Sequence, residues 1–487
     1  MSPFLVIGRT PASRYLLALL PWAIGCGEEL PSASDPGELL VSIVSSGRAI
    51  DPNGYLVHID NGPGIRMASN GTRVFALHPG QHTISLSDVS STCILLTNSW
   101  VKFISPGGQS VLELRIECPA PGAIVVRTAT TGVDQDPNGY LVIVNGSAPV
   151  DIGPDGFVRI DKVRKGGAIV ELRGVAGNCE VEGTRSWVVT VDELGTSEVQ
   201  LNIICRQRTV YPAGEYLVVA RRRNYSSDQD LFLLTADGRE LEQLTDHPDD
   251  DIAPSFSPDG DRIAFLRAER SSFEAARILI VSLDSGEETT LPQRSQYRVG
   301  WSPDGNRLAI NRQGTLSIVT LDGTAGANLA ISINGEAHWS PDGSRITFHR
   351  GSQAESNVYV VDADGANLRQ ISNGGYREAG PWSPSGDQLL IRVSGPMACA
   401  FLGWPSPCGA APLDLATLDP ASGSEKKIVT VYDEYGPAWT TAGDEIVFLS
   451  WDAGQSDVYV MSLDGELVVN LTRSFTLEES FAIGRRR

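Results

Sequence analysis

Short apolar segments that alternate between two faces recur through the second half of the chain. Arg262-Ile-Ala-Phe-Leu266, Arg345-Ile-Thr-Phe-His349 and Glu445-Ile-Val-Phe-Leu449 are three of them, and each follows a tight turn. A period of two over four to eight residues predicts β-strands rather than helices. The pattern therefore favours an all-β fold in this half of the chain.

The turn before each of these strands belongs to a repeat that begins with an aromatic residue. Its spacings of 45, 38, 43 and 57 residues are those of a repeat array. Proline presets the first central residue of a type I turn and glycine accepts positive φ, so each copy predicts a hairpin. The copies are Phe256-Ser-Pro-Asp-Gly260, Trp301-Ser-Pro-Asp-Gly305, Trp339-Ser-Pro-Asp-Gly343, Trp382-Ser-Pro-Ser-Gly386 and Trp439-Thr-Thr-Ala-Gly443.

A third strand in each unit ends at an Asp-Gly turn or a relative of it. One unit cannot bury its own apolar face, so six units of four strands predict a closed six-bladed β-propeller. The first unit lacks its inner strand, and we expect Glu479–Ile483 to supply it beside Tyr216–Ala220. The six third strands end near Asp237-Gly238, Asp284-Ser-Gly286, Asp322-Gly323, Asp364-Gly365, Asp419-Pro-Ala-Ser-Gly423 and Asp464-Gly465.

The complete repeat reads Pro-x-Trp-Ser-Pro-Asp-Gly, then Ile-Ala-Phe, then Val-Tyr-Val-x-Asp-x-Asp-Gly, then Leu-Thr. This pattern resembles the WD40-like, six-bladed propeller repeats of the TolB family, over about residues 210–487. The resemblance implies the fold and a location in the cell envelope more than an activity. TolB proteins carry an α/β domain before the propeller, whereas an all-β region precedes it here. Their partners therefore cannot be transferred to this chain.

The region before these repeats is an internal duplication. Asp51-Pro-Asn-Gly-Tyr55 recurs as Asp136-Pro-Asn-Gly-Tyr140, and Trp100 recurs as Trp187, at offsets of 85 and 87 residues. Short alternating strands broken by Gly and Pro predict two tandem Ig-like β-sandwiches. We place them at residues 38–119 and 120–206, with the propeller at 207–487.

The N-terminus resembles a bacterial lipoprotein signal. Arg9 and Arg14 precede a ten-residue apolar core, which is too short to span a bilayer. The core ends in Ala23-Ile-Gly-Cys26, so we expect residues 1–25 to be a signal peptide and Cys26 to be lipidated. A plain secretory signal is the alternative. Residues 26–37 are polar and read as a flexible tether.

The seven cysteines fit an exported protein. If Cys26 carries the lipid, six cysteines remain, and an even number in an exported chain implies disulfides. We expect one bridge inside each sandwich and a third that pins an insertion in blade five. The insertion carries Phe401, Leu402 and Trp404, a candidate partner-binding loop that could instead fold onto its own blade. The expected pairs are Cys93 with Cys118, Cys179 with Cys205, and Cys399 with Cys408.

The net charge of −20 argues against nucleic acid as a partner, because phosphates would be repelled. No Gly-x-Ser-x-Gly, Walker, Cys-x-x-Cys or His-Glu-x-x-His motif occurs, so we assign no catalytic residue, no cofactor and no metal. His338 could face the central channel as a metal ligand, but an isolated polar strand residue is favoured. The run Asp246–Asp251 lacks a calcium-loop pattern and is expected to be a solvated acidic turn.

A ligand site, if present, should lie where the loops entering the innermost strands converge on the channel mouth. Charged groups and tyrosines at a concave mouth suit peptide or glycan recognition, and a merely solvated rim is the alternative. The residues on these loops are Asp251, Tyr297, Arg298, Glu336, His338, Tyr376, Arg377, Glu378, Glu434 and Tyr435.

The sequence thus predicts a non-enzymatic scaffold that is anchored by lipid in the bacterial envelope. We expect the outer membrane, facing the periplasm or the cell surface, and a monomer that binds an envelope protein, a peptide or a glycan. The membrane would be contacted through the N-terminal lipid alone. The alternative is a propeller enzyme, a polysaccharide lyase or hydrolase, that acts at the channel mouth.

Overall fold

The computed structural model describes residues 35–222, 228–269, 275–322, 324–352, 355–394, 413–431, 435–452, 455–465, 468–472 and 477–487. All regular secondary structure in these ranges is β-strand. They form two compact units that divide between Ala120 and Pro121. The predicted signal peptide, most of the tether, and the residues Cys26, Cys399, Phe401, Leu402, Trp404, Cys408 and Glu434 lie outside the described residues.

The first unit is a sandwich of two sheets, with strand orders β4-β1-β7 and β3-β2-β5-β6. Strands β1 and β7 are parallel, and the other pairs are antiparallel. Its strands are β1 (Gly37–Ser46), β2 (Tyr55–Ile59), β3 (Ile65–Met67), β4 (Thr72–Leu77), β5 (Gly80–Ser87), β6 (Ser99–Ile104) and β7 (Gln109–Glu117).

Alternation along the strands builds the core between the two sheets. In β1, Glu38 and Leu40 on one face are more exposed, while Leu39 and Val41 on the other face are buried. They pack against Val57 and Ile84 of the other sheet in one cluster. A disulfide joins Cys93 to Cys118, as the sequence analysis expected.

The second sandwich repeats this topology, with strand orders β11-β8-β15-β13 and β10-β9-β12-β14. A disulfide joins Cys179 to Cys205, the second pair expected. The duplication seen in the sequence is therefore a duplication of strand order. Its strands are β8 (Gly122–Gly132), β9 (Tyr140–Val144), β10 (Val150–Ile152), β11 (Phe157–Val163), β12 (Gly166–Arg173), β13 (Cys179–Val181), β14 (Ser186–Val191) and β15 (Thr196–Cys205).

The remaining strands form six groups of four, which we call the first to sixth sheets. The fourth and fifth are halves of one eight-stranded sheet, joined by the single parallel pair Ser356–Tyr376. The first sheet holds β16 (Gly214–Arg222), β17 (Gln229–Thr235), β18 (Glu240–Gln243) and the last strand, β39 (Leu477–Arg486).

The other five sheets run in chain order. The second holds β19 (Asp250–Phe256), β20 (Arg262–Ala268), β21 (Ala276–Ser282) and β22 (Glu288–Ser295), and the third holds β23 (Gly300–Trp301), β24 (Arg307–Arg312), β25 (Thr315–Thr320) and β26 (Ala325–Ser332). The fourth holds β27 (Asn334–Trp339), β28 (Arg345–Gly351), β29 (Ser356–Asp362) and β30 (Arg369–Gln370), and the fifth holds β31 (Tyr376–Trp382), β32 (Leu389–Ser394), β33 (Leu413–Leu418) and β34 (Glu425–Val431). The sixth holds β35 (Tyr435–Trp439), β36 (Glu445–Asp452), β37 (Gln455–Ser462) and β38 (Val468–Asn470).

Six apolar clusters hold these sheets together, and each cluster is shared by two neighbours. Phe265 of the second sheet packs with Val218 of the first in one cluster. Four further clusters join the second sheet to the third, the third to the fourth, the fourth to the fifth, and the fifth to the sixth. The sixth cluster joins the last sheet to the first, where Val447 packs with Leu217 and Phe481. Packing between the sheets therefore runs in a cycle.

The C-terminal strand lies in the first sheet. Strand β39 pairs antiparallel with β16, with Ala482 opposite Val218 and Gly484 opposite Tyr216. This is the pairing that the sequence analysis expected for Glu479–Ile483. Buried Glu478 of the same strand forms an ion pair with Arg221 at 2.9 Å.

The second sandwich belongs to the same compact unit as the six sheets. Arg173 and Arg185 place guanidinium groups 2.8 and 2.6 Å from the Asp246 carboxylate, and Gly174 N–H donates to the Asp246 carbonyl. Asp251 is fully buried against Arg267 at 2.7 Å. The expectation of a solvated acidic turn is wrong for these residues, because arginines from the sandwich and from β20 cover their carboxylates.

Candidate functional site

The first strand of each of the six sheets borders one cavity of about 650 Å³. Polar residues line it from several of these strands and from a loop before one of them, including Ser255, Glu336 and Glu378 on the strands and Tyr297 on the loop. The bordering strands are β19, β23, β27, β31, β35 and β39.

The recurring hairpin fixes the end of each first strand. In the third sheet the Ser302 hydroxyl donates to Asp304 at 2.5 Å and accepts from Arg307 N–H at 3.0 Å. Gly305 has φ of +68° and donates its N–H to the Ser302 carbonyl at 2.9 Å. Serine, aspartate and glycine recur because each supplies one part of this closed turn.

Three of the recurring tryptophans, Trp301, Trp382 and Trp439, tie a first strand to the sheet before it through the indole N–H, whereas the buried Trp339 Nε1 has no hydrogen-bond partner among the described residues. Trp301 Nε1–H donates to the Ser255 carbonyl at 3.0 Å, and Trp439 Nε1–H donates to the Pro381 carbonyl at 3.1 Å. An arginine of the preceding sheet stacks on the same ring, as Arg262 does on Trp301 at 5.0 Å. The aromatic repeat therefore holds the cavity wall in place instead of lying free to bind a ligand.

Arg298 and Glu336 meet inside the cavity. Arg298 Nε lies 3.9 Å from Glu336 Oε1, beyond hydrogen-bond range, and this buried nitrogen has no hydrogen-bond partner in the described part of the chain. The guanidinium also reaches β35 of the sixth sheet, since a Cβ on Gly436 would lie 3.4 Å from Nη2 of Arg298. A strong donor thus crosses the cavity with part of its bonding capacity unused.

Glu378 and Arg392 form a second charged pair from the fifth sheet. Their carboxylate and guanidinium groups are 3.4 Å apart. Burial raises the pKa of Glu378, and Arg392 opposes this change. Burial also raises the pKa of Tyr376, whose hydroxyl bonds to Glu378, to about 12. Glu378 therefore holds its proton more readily than an ordinary glutamate.

The two histidines near this cluster are neutral at pH 7. Burial lowers the pKa of His338, and it lowers that of His349 to about 4. His338 Nε2 lies 3.2 Å from the Ala379 carbonyl, which can only accept, so Nε2 carries the proton. Within the described ranges no group of three or more His, Cys, Asp or Glu side chains is arranged to hold a metal ion.

The structure divides the predicted ligand face. Tyr297, Arg298, Glu336, His338 and Glu378 line the cavity. Tyr376 is not among the residues that line the cavity, and its ring lies beside His349 with ring centroids 6.4 Å apart. The side chain of Tyr435 and all of Glu434 lie outside the described residues.

Two predicted residues are placed elsewhere. Asp251 binds Arg267 through both carboxylate oxygens, at 2.7 and 2.8 Å, and Arg377 binds Glu425 of the outer strand β34 at 2.6 Å. Neither lines the cavity, so for both the prediction of a ligand-face position is wrong. Each is the second residue of a first strand, β19 or β31, and its side chain faces an arginine or glutamate of its own sheet.

Sequence reasoning missed Arg392 and Ser480. Arg392 lies on the second strand of its sheet, where we looked for no channel residue. A polar residue inside an otherwise apolar strand was the available signal. The Ser480 hydroxyl oxygen accepts the Ala253 N–H at 3.0 Å, and both residues line the cavity.

Comparison with known proteins gives one short sequence match and several distant structural ones. No family model matches the chain. A TolB homologue of Chlorobium luteolum is 35% identical over 69 residues, which cover 14% of this chain and 15% of the relative. The chain thus matches only a small part of that protein.

Three solved structures illustrate the structural similarity. TolB from Acinetobacter baumannii is 18% identical over 56% of this chain and 66% of that one, with a TM-score of 0.47. A chain of a nidogen/laminin complex is 14% identical over 56% of this chain and all of that one, with a TM-score of 0.43. An oligogalacturonate lyase in complex with manganese is 16% identical over 51% and 72%, with a TM-score of 0.36. At such values neither binding nor catalysis follows from the resemblance.

No described segment is a helix long and apolar enough to cross a membrane.

Proposed function

We propose that this chain is a non-enzymatic, lipid-anchored binding protein of the bacterial envelope that takes a protein segment, a peptide or a glycan in its central cavity. The supporting observation is the cavity of about 650 Å³, which the first strands of six sheets border and which Arg298, Glu336, Tyr297, Glu378 and Arg392 line. Concave sites with a few convergent polar groups are the usual form of binding sites.

The architecture we propose is a six-bladed, TolB-like β-propeller at 207–487, preceded by two Ig-like sandwiches. The six sheets serve as blades, and β39 closes the ring in the first of them. Cyclic packing through six apolar clusters supports this assignment. The sandwiches would space the propeller from an anchor at Cys26.

The cavity can recognise a ligand that both donates and accepts hydrogen bonds. Arg298 offers the unused Nε donor. Glu336 offers carboxylate oxygens, since its Oε1 lies 3.9 Å from Arg298 Nε and is not hydrogen-bonded to it. Tyr297, with 44% of its surface exposed, adds a flat apolar face at the rim. Peptide backbones and sugar hydroxyls both present this mixture of donors, acceptors and apolar faces.

Capture of partners from cross-linked cells tests the proposal. The intact anchored protein should bring down a discrete ligand, and Arg298→Ala should reduce the amount recovered. The matched control is Arg239→Ala, at an exposed outer turn. Equal capture by the wild type and both variants would contradict a site in the cavity.

A second candidate is an enzyme that acts at the same cavity, a polysaccharide lyase or hydrolase. The observation in its favour is Glu378, whose raised pKa and contact with Tyr376 suit a group that gives a proton to a leaving oxygen. Purified protein would then cleave an envelope polysaccharide, and Glu378→Gln would abolish the cleavage. Cleavage that depends on Glu378 would replace the binding proposal.

A further inference from the structure

Asn138 of the second sandwich attaches to a backbone turn of the second sheet by two hydrogen bonds. Its Nδ2 donates to the Gly286 carbonyl at 2.8 Å, and its Oδ1 accepts the Glu288 N–H at 2.9 Å. The Asn138 N–H donates to Asp136 Oδ1 at 3.0 Å, which holds the loop in place. We call Asn138 the docking asparagine and residues 282–288 the receiving turn.

The receiving turn has a defined form. Gly286, with φ of +69°, donates its N–H to the Ser282 carbonyl at 2.8 Å, and Ser282 N–H donates to the Glu287 carbonyl at 3.0 Å. The Glu288 carboxylate is held by Arg267 at 3.0 Å. The Glu288 N–H points to the outer side of the turn, where it donates to Asn138 Oδ1.

The fifth sheet carries a second turn of the same form. Gly423, with φ of +76°, donates to the Asp419 carbonyl at 2.9 Å, and Asp419 N–H donates to the Ser424 carbonyl at 2.9 Å. The Glu425 carboxylate is held by Arg377 at 2.6 Å.

The strand registers of the two turns also agree. Glu425 lies opposite Leu418 as Glu288 lies opposite Val281. Because the pair Asp419–Ser424 carries the hydrogen bond, the Glu425 N–H points away from β33. Residues 421–427 are exposed, so this second receiving turn is open to a partner.

Asn53 of the first sandwich is the equivalent of the docking asparagine. Asn53 N–H donates to Asp51 Oδ1 at 2.9 Å, as Asn138 does to Asp136, and Tyr55 follows as the buried start of a strand. Asn53 is exposed, and its side-chain amide makes no hydrogen bond within the described residues.

The surroundings of the docked pair are charged. Arg173 and Arg185 of the second sandwich bind Asp246, the residue that follows Thr245 between the first and second sheets. The Thr245 hydroxyl accepts the Leu231 N–H at 3.0 Å, and this hydrogen bond identifies the equivalent position in other sheets.

The corresponding positions of the unused pair are neutral on both sides. In the first sandwich Ser87 ends β5 as Arg173 ends β12, and the Asn98 carbonyl accepts the Leu86 N–H at 3.0 Å. In the copy, the Arg185 carbonyl accepts from Leu172 in the same way. Before the fifth sheet, Ser372 accepts the Val358 N–H at 2.8 Å, so Asn373 takes the place of Asp246. The charged residues Arg173, Arg185 and Asp246 of the docked pair thus correspond to three uncharged residues of the unused pair, which are Ser87, Asn98 and Asn373.

We propose that Asn53 of one molecule docks on the Gly423–Glu425 turn of a second copy of this chain, through the two hydrogen bonds that Asn138 makes to Gly286 and Glu288. A two-fold axis relating the molecules forms the contact twice and closes the pair as a dimer. This inference is independent of the cavity and its ligand. It replaces the monomer that the sequence alone led us to expect.

Sedimentation velocity of the full-length protein over a concentration series tests the dimer. The wild type should shift toward twice the monomer mass, and Asn53→Ala should weaken association by about tenfold or more, since two hydrogen bonds are lost at each contact. Glu425→Pro should do the same because it removes the N–H, whereas Glu425→Gln keeps it and should dimerise. Asn306→Ala, at an exposed hairpin, is the control.

Mixing the two disrupted variants gives the sharper result. Asn53→Ala retains its receiving turn and Glu425→Pro retains its docking asparagine, so the mixed pair has one intact contact and should associate more tightly than either variant alone. A wild type that stays monomeric at every concentration would overturn the proposal. So would a dimer that is indifferent to both substitutions, or a cross-link between residues 53 and 423 found in monomers.

Discussion

Thr441 in the hairpin of the sixth sheet donates its backbone N–H to Oε1 of Glu215 in the first sheet, at 2.9 Å. The two residues are 226 positions apart in the chain. The Thr441 hydroxyl donates to the same oxygen. This contact joins the last sheet in chain order to the first, at the point where the proposed ring must close.

Glu215→Ala should therefore lower the stability of the six-sheet array. Loss of two hydrogen bonds to a carboxylate is expected to cost about 1–3 kcal/mol, or a few degrees in the melting midpoint. Thermal unfolding of the full-length protein measures this. The control is Glu287→Ala at an exposed turn of the second sheet, which should melt like the wild type. If the two variants melt alike, Glu215 does not help to close the array.

Deletion of residues 477–487 should have a larger effect. It removes β39 with the buried side chains Phe481 and Glu478, and so breaks the ion pair between Glu478 and Arg221. Loss of a buried phenylalanine alone costs about 3–5 kcal/mol, so we expect the midpoint to fall by about 10 °C or more and the exposed edge to promote aggregation. Removal of Arg487 alone is the matched control. A truncated array that melts like the full-length one would show that β39 is not needed.

Stability should depend on pH through Asp230. Burial, with Asp246 and Asp228 nearby, raises the pKa of Asp230 to about 8, against about 4 in an unfolded chain. Between these values the folded protein holds a proton that the unfolded chain releases, so this group costs stability as pH rises from about 4 to 8.

Asp230→Asn removes that cost. Its stability relative to the wild type should rise steadily through this window and level off above pH 8. Denaturant unfolding at several pH values measures the difference in unfolding free energy between the variant and the wild type. Burial lowers the pKa of His247 to about 3, which has the opposite effect on stability, but both proteins contain His247 and its effect cancels in the difference. Asp237→Asn at an exposed turn should show no such trend. A constant difference for Asp230→Asn would mean that Asp230 is ionised throughout.

The repeating parts of the fold could be predicted from the sequence because each repeated letter has a local role. Gly305 is required by its positive φ, and Trp301 by its bond to Ser255. The cavity could be predicted only in part, since loop position alone does not say whether a side chain faces the channel or its own sheet. Arg298 faces the channel, whereas Arg377 faces Glu425.

Contacts between domains could not be predicted at all. Asp246 reads as part of a solvated acidic run, and its burial depends on Arg173, 73 residues earlier in another domain. No period or motif connects the two residues. The significance of Asn53 emerges in the same way, only after Asn138 is seen bound to Gly286.

The anchor is tested by Cys26→Ser. A lipoprotein signal attaches the lipid through the cysteine sulfur, so the variant should move from the membrane fraction to the soluble fraction while its melting midpoint stays unchanged. Fractionation of cells that produce each protein measures this, and a resident membrane protein serves as the control. Full retention of the variant in membranes would exclude anchoring through Cys26.

The central claim is that the cavity binds a ligand in the cell, and a photo-crosslinking residue at Tyr297 tests it most directly. Tyr297 lies at the cavity rim, whereas Val468, on the outer strand β38 and 50% exposed, serves as the control position. Irradiated cells should yield a discrete adduct from position 297 that is absent from position 468 and is lost when Arg298→Ala is added. Adducts of equal yield from both positions, or an adduct that persists without Arg298, would contradict the account.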